Sequence, residues 1–239
     1  MGEVSKQKLK VLDLFSGIGG FALGLDRAGG FETVAFCEIE DFPRKVLTKH
    51  WPHIPIHRDV RELKGEDVGP VDVICGGYPC QPFSTASRGR RVAVDLWPEM
   101  YRIIQRIKPK YVIAENVARK PQEQAMRNLE SLGYRADLRC ISAAAAGADH
   151  TRDRWWVFAY PDNEGEFSRA LDAEMALLPE VCSGLWGATN YARAIRVSDG
   201  IPNRSHRLRG LGNAVIPQIP EMIGRAIMAA GNPKDTPND

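Results

Sequence analysis

Cysteine is sparse and scattered in this 239-residue chain: Cys37, Cys75, Cys80, Cys140 and Cys182, with no C-x-x-C pair among them. An odd count at such spacing argues against a disulfide framework and against a zinc site built on paired thiols. No apolar run is long enough to cross a bilayer, and the opening MGEVSKQKLKVLDLF lacks the apolar stretch of a signal peptide. Lys6 stands where a myristoylation signal needs Ser or Thr. The expectation is a cytosolic chain with reduced thiols, no membrane partner and no metal. An excess of one charge is missing too. The formal net charge is +2, so any surface for a polyanion must be local. No segment recurs at a fixed period, which excludes solenoids and propellers.

What is present is an alternation. KVLDLF (residues 10–15), TVAFCEI (33–39), IHRDV, VDVICGG, YVIAENV (111–117), ADLRCISA and RWWVFAY read as seven strands. FALGLDRAG, DFPRKVLTKH, DLWPEMYRIIQRIKP and EQAMRNLESLGY read as the helices among them. In the third of these, Leu96, Met100, Ile103, Ile104 and Ile107 recur at the spacing of a helical stripe. Such repetition predicts an α/β fold, a mostly parallel seven-stranded sheet with helices on both faces. After Tyr160 the pattern fades, and PDNEGEFSRALDAEMALLPEVCSGLWGATN reads as short, mixed and poorly periodic. Order returns at LGNAVIPQIPEMIGRAIMAAG, a loop leading into a terminal helix, and the tail NPKDTPND is expected to fray.

One short stretch, GGYPCQPFS (residues 76–84), stands out. Pro79 fixes its own φ and Pro82 holds Gln81 out of the helical region, so the backbone around Cys80 has few options. A nucleophile that must point one way needs such a frame; a buried thiol at a strand end is the alternative reading of this segment alone. Charge is concentrated in two places. Arg88, Arg90 and Arg91 follow the cysteine, and between residues 187 and 212 five arginines (Arg193, Arg196, Arg204, Arg207, Arg209) face one acid, Asp199.

Other strand ends carry chemistry as well. Gly17, Gly19 and Ala22 match G-x-G-x-x-A where a strand meets a helix, a turn that lets backbone approach a ligand. Glu38, at the end of the next strand, is placed to accept from ribose hydroxyls, and Asp59, after the third, to receive an adenine amino group. These residues describe an adenosine site without separating a nicotinamide dinucleotide from S-adenosylmethionine. The ends of the fourth and fifth strands carry Cys80 and Glu115, and Arg152 and Arg154 lie at i and i+2 in HTRDRWW. A thiol, an acid and guanidinium groups around one pocket suit covalent activation of a flat heterocycle.

Taken in order, these segments resemble the DNA (cytosine-5) methyltransferase family over about residues 9–160 and 205–229. DLFSGIGG is similar to that family's cofactor loop, CEIE to its ribose-binding acid and RDV to its adenine contact. GGYPCQPFS is similar to its catalytic motif, ENV to the acidic partner, TRDR to the arginine motif and GNAVIPQ to the segment that closes the cofactor pocket. The resemblance implies a Rossmann-like, S-adenosylmethionine-dependent methyltransferase. Phe15 would stack on the adenine, with Ser16, Gly17, Ile18, Gly19 and Gly20 forming the loop. Glu38, Ile39, Asp59, Val60, Pro79, Asn213 and Ala214 complete the implied cofactor contacts.

By the same resemblance Cys80 attacks C6 of cytosine in duplex DNA while Glu115 holds the N3 side. Arg154 contacts O2, and Arg152 holds the pocket or a phosphate. The base must first be flipped out of the stack. A loop over residues 84–94 is expected to close over it, with Ser84, Arg88, Arg90 and Arg91 near phosphates. The implied division is a catalytic and cofactor-binding part (1–160), a small target-recognition region (161–204) and a C-terminal segment returning to the first part (205–239). Asn190, Tyr191 and Arg193, with Trp186 beside them, are candidate readers of sequence, and Arg204 and Arg207 are candidate DNA contacts. The protein is expected to be monomeric, in the cytoplasm of a bacterial cell and active at the nucleoid; a cognate restriction enzyme is a partner the resemblance admits. Two departures stand out. His150 replaces the usual Gln of the arginine motif, and the recognition region is much shorter than the family commonly has. Rival readings are a methyltransferase for cytosine in transfer RNA, a catalytically silent nucleic-acid-binding homologue, and a nicotinamide oxidoreductase that would leave Cys80, ENV and GNAV unexplained.

Overall fold

The computed structural model describes residues 7–79, 95–146, 152–161, 165–182 and 214–231. The elements in chain order are β1 (Leu9–Leu14), α1 (Gly20–Ala28), β2 (Phe31–Cys37), α2 (Asp41–His50), β3 (Ile56–His57), β4 (Val73–Gly77) and α3 (Trp97–Ile107). They continue as β5 (Tyr111–Asn116), α4 (Arg119–Ser131), β6 (Arg135–Ser142), β7 (Asp153–Tyr160), α5 (Glu166–Cys182) and α6 (Gln218–Ala230). All seven strands lie in one sheet, ordered β3-β2-β1-β4-β5-β7-β6. β1 to β5 pair in parallel, and β7 runs antiparallel to both β5 and β6. The expected mostly parallel, seven-stranded sheet is what forms.

Strict alternation explains why the sheet takes helices on both sides. Val11, Val73, Cys75, Tyr111, Ile113, Trp156 and Phe158 point to one face, where α1, α5 and α6 pack. Leu12, Ile74, Val112, Ala114, Val157 and Ala159 point to the other, where α3 and α4 cover them. Strands buried on both faces need no polar side, which is why they read as continuous apolar runs. The chain leaves β1 toward β2 on one side and returns to β4 on the other. That reversal opens a crevice at the carboxyl ends of the strands, where ligands bind in open α/β sheets.

Three elements depart from the sequence reading. The stretch after Tyr160 contains a regular helix, α5, whose Phe167 and Leu171 are fully buried against the sheet. Its apolar stripe is short and interrupted by acids, so periodicity alone understates it. α4 begins at Arg119, ahead of the EQAMRNLESLGY segment, and takes Pro121 into its first turn. A proline is tolerated there because first-turn N–H groups have no intrahelical acceptor. β3 is only two residues long, since its pairing with β2 stops at Phe36 and Cys37.

α1 and α6 pack through glycine. A Cβ on Gly20 would stand 2.4 Å from the carbonyl oxygen of Val215, and one on Gly24 would stand 2.3 Å from that of Pro217. On α6, a Cβ on Gly224 would stand 2.6 Å from Ala28 Cβ. Three missing side chains let two backbones touch. The contact brings residues 214–217 against the first turn of α1.

Candidate active site

The turn after β1 is built on backbone conformations that most residues avoid. Phe15 (φ 54°), Gly17 (φ 53°) and Gly19 (φ 89°) all lie in the left-handed region, and Phe15 is there without glycine's freedom. Ser16 ties the turn to β2. Its backbone N–H donates to Cys37 O at 3.1 Å, its hydroxyl donates to Asp13 O at 2.6 Å, and its Oγ accepts from Cys37 N–H at 3.2 Å. Glu38, one residue past β2 and buried, accepts from Gly17 N–H at 2.8 Å on Oε2 and from Glu40 N–H at 2.7 Å on Oε1. Burial raises its carboxyl above the ordinary range, against the pull of those N–H donors. Each carboxylate oxygen has a second lone pair, so both can still accept from a ribose hydroxyl. The glycine turn and Glu38 therefore form one hydrogen-bonded unit and fit an adenosine group.

Asp13, beneath that turn, is fully buried, and neither carboxylate oxygen completes a hydrogen bond. Burial, and then the neighbouring Glu38, hold it well above the usual carboxylate range; the Ala22 N–H and the Cys75 thiol pull weakly the other way. The thiols nearby are structural. Burial pushes Cys37 up to about 12 and Cys75 well up, so neither supplies a thiolate near neutral pH.

Farther along the crevice Ile39 is 54% exposed, an apolar side chain beside Glu38 with room for a flat ligand. Asp59 follows β3, and its carboxylate is engaged by Arg61 Nε at 2.9 Å, a contact that lowers its pKa. Val60 faces inward to the core, and its carbonyl accepts from Arg102 Nη2 at 2.9 Å.

β4 leads toward Cys80 through a braced exit. A Cβ on Gly76 would lie 2.6 Å from Leu14 O, and one on Gly77 would lie 2.8 Å from Glu115 Oε2. The second glycine keeps open the space that Glu115 occupies, since the two residues are register partners on β4 and β5. Tyr78 is buried; its carbonyl accepts from Asn116 Nδ2 at 3.0 Å, and its hydroxyl donates to Gln122 Oε1 at 3.3 Å. The carbonyl of Pro79 accepts from Leu96 N–H at 3.2 Å.

Glu115 meets Arg154 Nε at 2.8 Å, an ion-pair approach without the geometry of a straight hydrogen bond. Burial raises the Glu115 carboxyl, outweighing the opposite pull of Arg154 and Arg152. Arg152 Nη1 donates to Ala214 O at 3.1 Å and so ties the arginine motif to the C-terminal segment. Acid, guanidinium and strand exit thus share one edge with the glycine turn.

The sequence matches the family of C-5 cytosine-specific DNA methylases across residues 9–180. The chain belongs to this family. Among its relatives are the type II methyltransferase M1.HphI of Haemophilus parahaemolyticus, 35% identical over 165 residues (61% of this chain, 44% of that one), and M.AplI of Arthrospira platensis, 36% identical over 163 residues (65% and 46%). The chain therefore spans less than half the length of these curated relatives. Two solved structures share its fold. One is a prophage-encoded protein of E. coli described as a DNA modification methyltransferase (TM-score 0.63, 20% identity, 92% of this chain and 99% of that one). The other is the Dnmt2 methyltransferase of S. pombe (TM-score 0.57, 23% identity, 67% and 52%).

Of the residues that the C5-methylase motifs pick out, Phe15 to Gly20, Glu38, Ile39, Asp59, Val60, Pro79, Glu115, Arg152, Arg154 and Ala214 have described positions. Cys80, Ser84, Arg88, Arg90, Arg91, Trp186, Asn190, Tyr191, Arg193, Arg204, Arg207 and Asn213 lie outside the described residues, as does His150. Sequence reasoning did not assign roles to Gly77, Tyr78, Asn116 or Gln122. Asn116 was visible inside ENV. Gln122 carries a subtler signal: with Ala125 and Leu129 it forms the buried stripe of α4, an amide where a stripe calls for an apolar side chain.

Proposed function

We propose that this protein transfers a methyl group from S-adenosylmethionine to C5 of cytosine in duplex DNA, through a covalent adduct of Cys80 with C6 of a flipped-out base. The observation that carries the reading is the Glu115–Arg154 pair, 2.8 Å apart beside the strand exit that leads to Cys80. A carboxyl whose burial favours its neutral form suits protonating N3 as the thiolate adds to C6. That addition moves electron density to C5, and Arg154 is one step from the O2 side of a ring held by Glu115. S-adenosylmethionine, when bound, supplies the electrophilic methyl that C5 takes up. Loss of the C5 proton and rupture of the C6–S bond then restore the ring and free the thiolate.

The cofactor would be held by Phe15, the turn Ser16–Gly20, Glu38 and Ile39, with Asp59, Val60, Pro79, Asn213 and Ala214 around it. The unused lone pairs of Glu38 and the exposed Ile39 support this assignment. For Asp59 to receive an adenine amino group, Arg61 must share or yield its contact. Ser84, Arg88, Arg90 and Arg91 are assigned to phosphates, and Asn190, Tyr191, Arg193, Arg204 and Arg207 to DNA in and beside a recognition region over 161–204. The reading places the protein in a bacterial cytoplasm, active at the nucleoid, and admits a cognate restriction enzyme as a partner.

The test is methyl transfer from labelled S-adenosylmethionine to mixed-sequence duplex DNA and, separately, to structured RNA, with Cys80→Ala alongside. Label should enter DNA and vanish in the variant. Label in RNA alone moves the substrate to RNA, and an active Cys80→Ala variant overturns the covalent route.

A further inference from the structure

One fully buried amide bonds to β5, to β7 and to the tyrosine that follows β4. Gln122 of α4 has no exposed surface. Its Nε2 donates to Ala114 O on β5 at 2.7 Å and to Trp155 O on β7 at 2.9 Å. Its Oε1 accepts from the hydroxyl of Tyr78, just past β4, at 3.3 Å. Ala114 precedes Glu115, Trp155 follows Arg154, and Cys80 lies two residues after Tyr78. Asn116 donates to the carbonyl of the same tyrosine and shapes the entry to α4 by accepting from Ala118 N–H at 3.1 Å.

We propose that Gln122 is a positioning residue: it fixes Glu115 and Arg154 relative to the chain that presents Cys80. Packing alone does not call for an amide here. Burying one gains little even when it is fully bonded and costs heavily when it is not, whereas Met would fill the same stripe beside Ala125 and Leu129. What Met cannot do is tie the backbones of β5 and β7 to the side chain of Tyr78 in one register. Misplacement of reacting groups by about 1 Å costs on the order of a hundredfold in rate, so a brace of this kind has a kinetic signature. The inference rests on the proposed roles of Cys80, Glu115 and Arg154.

The experiment compares wild type, Gln122→Met and Tyr78→Phe in three measurements. These are cofactor affinity by calorimetry, single-turnover methylation of duplex DNA, and the titration of Glu115 followed through its 13C-labelled side-chain carboxyl. Gln122→Met should keep cofactor affinity within about twofold, lose on the order of a hundredfold in the single-turnover rate, and titrate Glu115 higher than wild type as Arg154 moves away. Tyr78→Phe, which deletes a single oxygen, should lose part of the rate and leave the cofactor affinity alone. A Gln122→Met protein with wild-type rate and titration overturns the proposal. So does one that loses rate and cofactor affinity together, because that is general loosening. Should Gln122→Met fail to fold, an unchanged rate in Tyr78→Phe overturns it. Should wild type methylate no DNA, the functional reading fails, and the Glu115 titration still decides the positioning role.

Discussion

Asp13, near the end of β1, is costly to bury: a carboxyl sealed from water, with neither oxygen in a completed hydrogen bond. Its folded-state pKa is raised, so the folded protein holds a proton that the unfolded chain gives up. Below the ordinary carboxylate pKa both states are protonated and folding carries no penalty. As pH rises beyond that value, stability falls until the folded state also releases its proton, by at most about 1.4 kcal/mol per pH unit for one group. Asp13→Asn cannot ionise. Urea denaturation from pH 4 to pH 8 should therefore show the variant gaining on wild type as pH rises; a difference that stays constant with pH contradicts the assignment. At this scale the sequence made legible which side chains stand at strand ends. Glu38 and Glu115 announced themselves by position at strand ends. Tyr78, Gly77 and Gln122 did not, because their roles are carbonyl and volume contacts between strands far apart in the chain.

Among the elements, the contact between α1 and α6 decides how the C-terminal segment meets α1 and the glycine turn before it. Helix propensity favours alanine over glycine by about 0.8–1 kcal/mol, so Gly24→Ala would stabilise an isolated α1. In the folded protein the new Cβ would meet the carbonyl oxygen of Pro217 at 2.3 Å, and backbone cannot swing aside as a long side chain can. Overpacking of this kind costs about 1–3 kcal/mol, enough to reverse the propensity gain. Gly24→Ala should lower the urea midpoint and weaken S-adenosylmethionine binding several-fold through displacement of Ala214. A variant as stable as wild type, with unchanged affinity, would show that the contact is slack. The strands and central helices were legible from alternation and from the stripe of α3. α5 was not, because only Phe167 and Leu171 in its first half are fully buried and the acids that follow, Asp172 and Glu174, break the periodicity. Nor could the sequence reveal that α6 packs on α1: glycines at both surfaces read as turn signals until their neighbours are known.

On the scale of the whole molecule, the described residues supply a sheet whose carboxyl edge carries the glycine turn and the Glu115–Arg154 pair. They leave little chain for reading DNA, since the stretch between Tyr160 and α6 also gives α5 to the core. Reading a base pair in the major groove takes a small number of side chains held rigidly. A short region with Asn190, Tyr191 and Arg193 would read a brief site, lean on DNA shape or work with a partner. The prophage-encoded fold relative, matched over nearly its whole length, shows that compact chains of this architecture exist. The decisive measurement is base-resolution sequencing of 5-methylcytosine in mixed-sequence duplex DNA after incubation with the protein and S-adenosylmethionine. The account predicts methylation at one recurring short sequence, present with wild type and absent with Cys80→Ala. Unmethylated DNA, or methylation that survives the loss of Cys80, would contradict it.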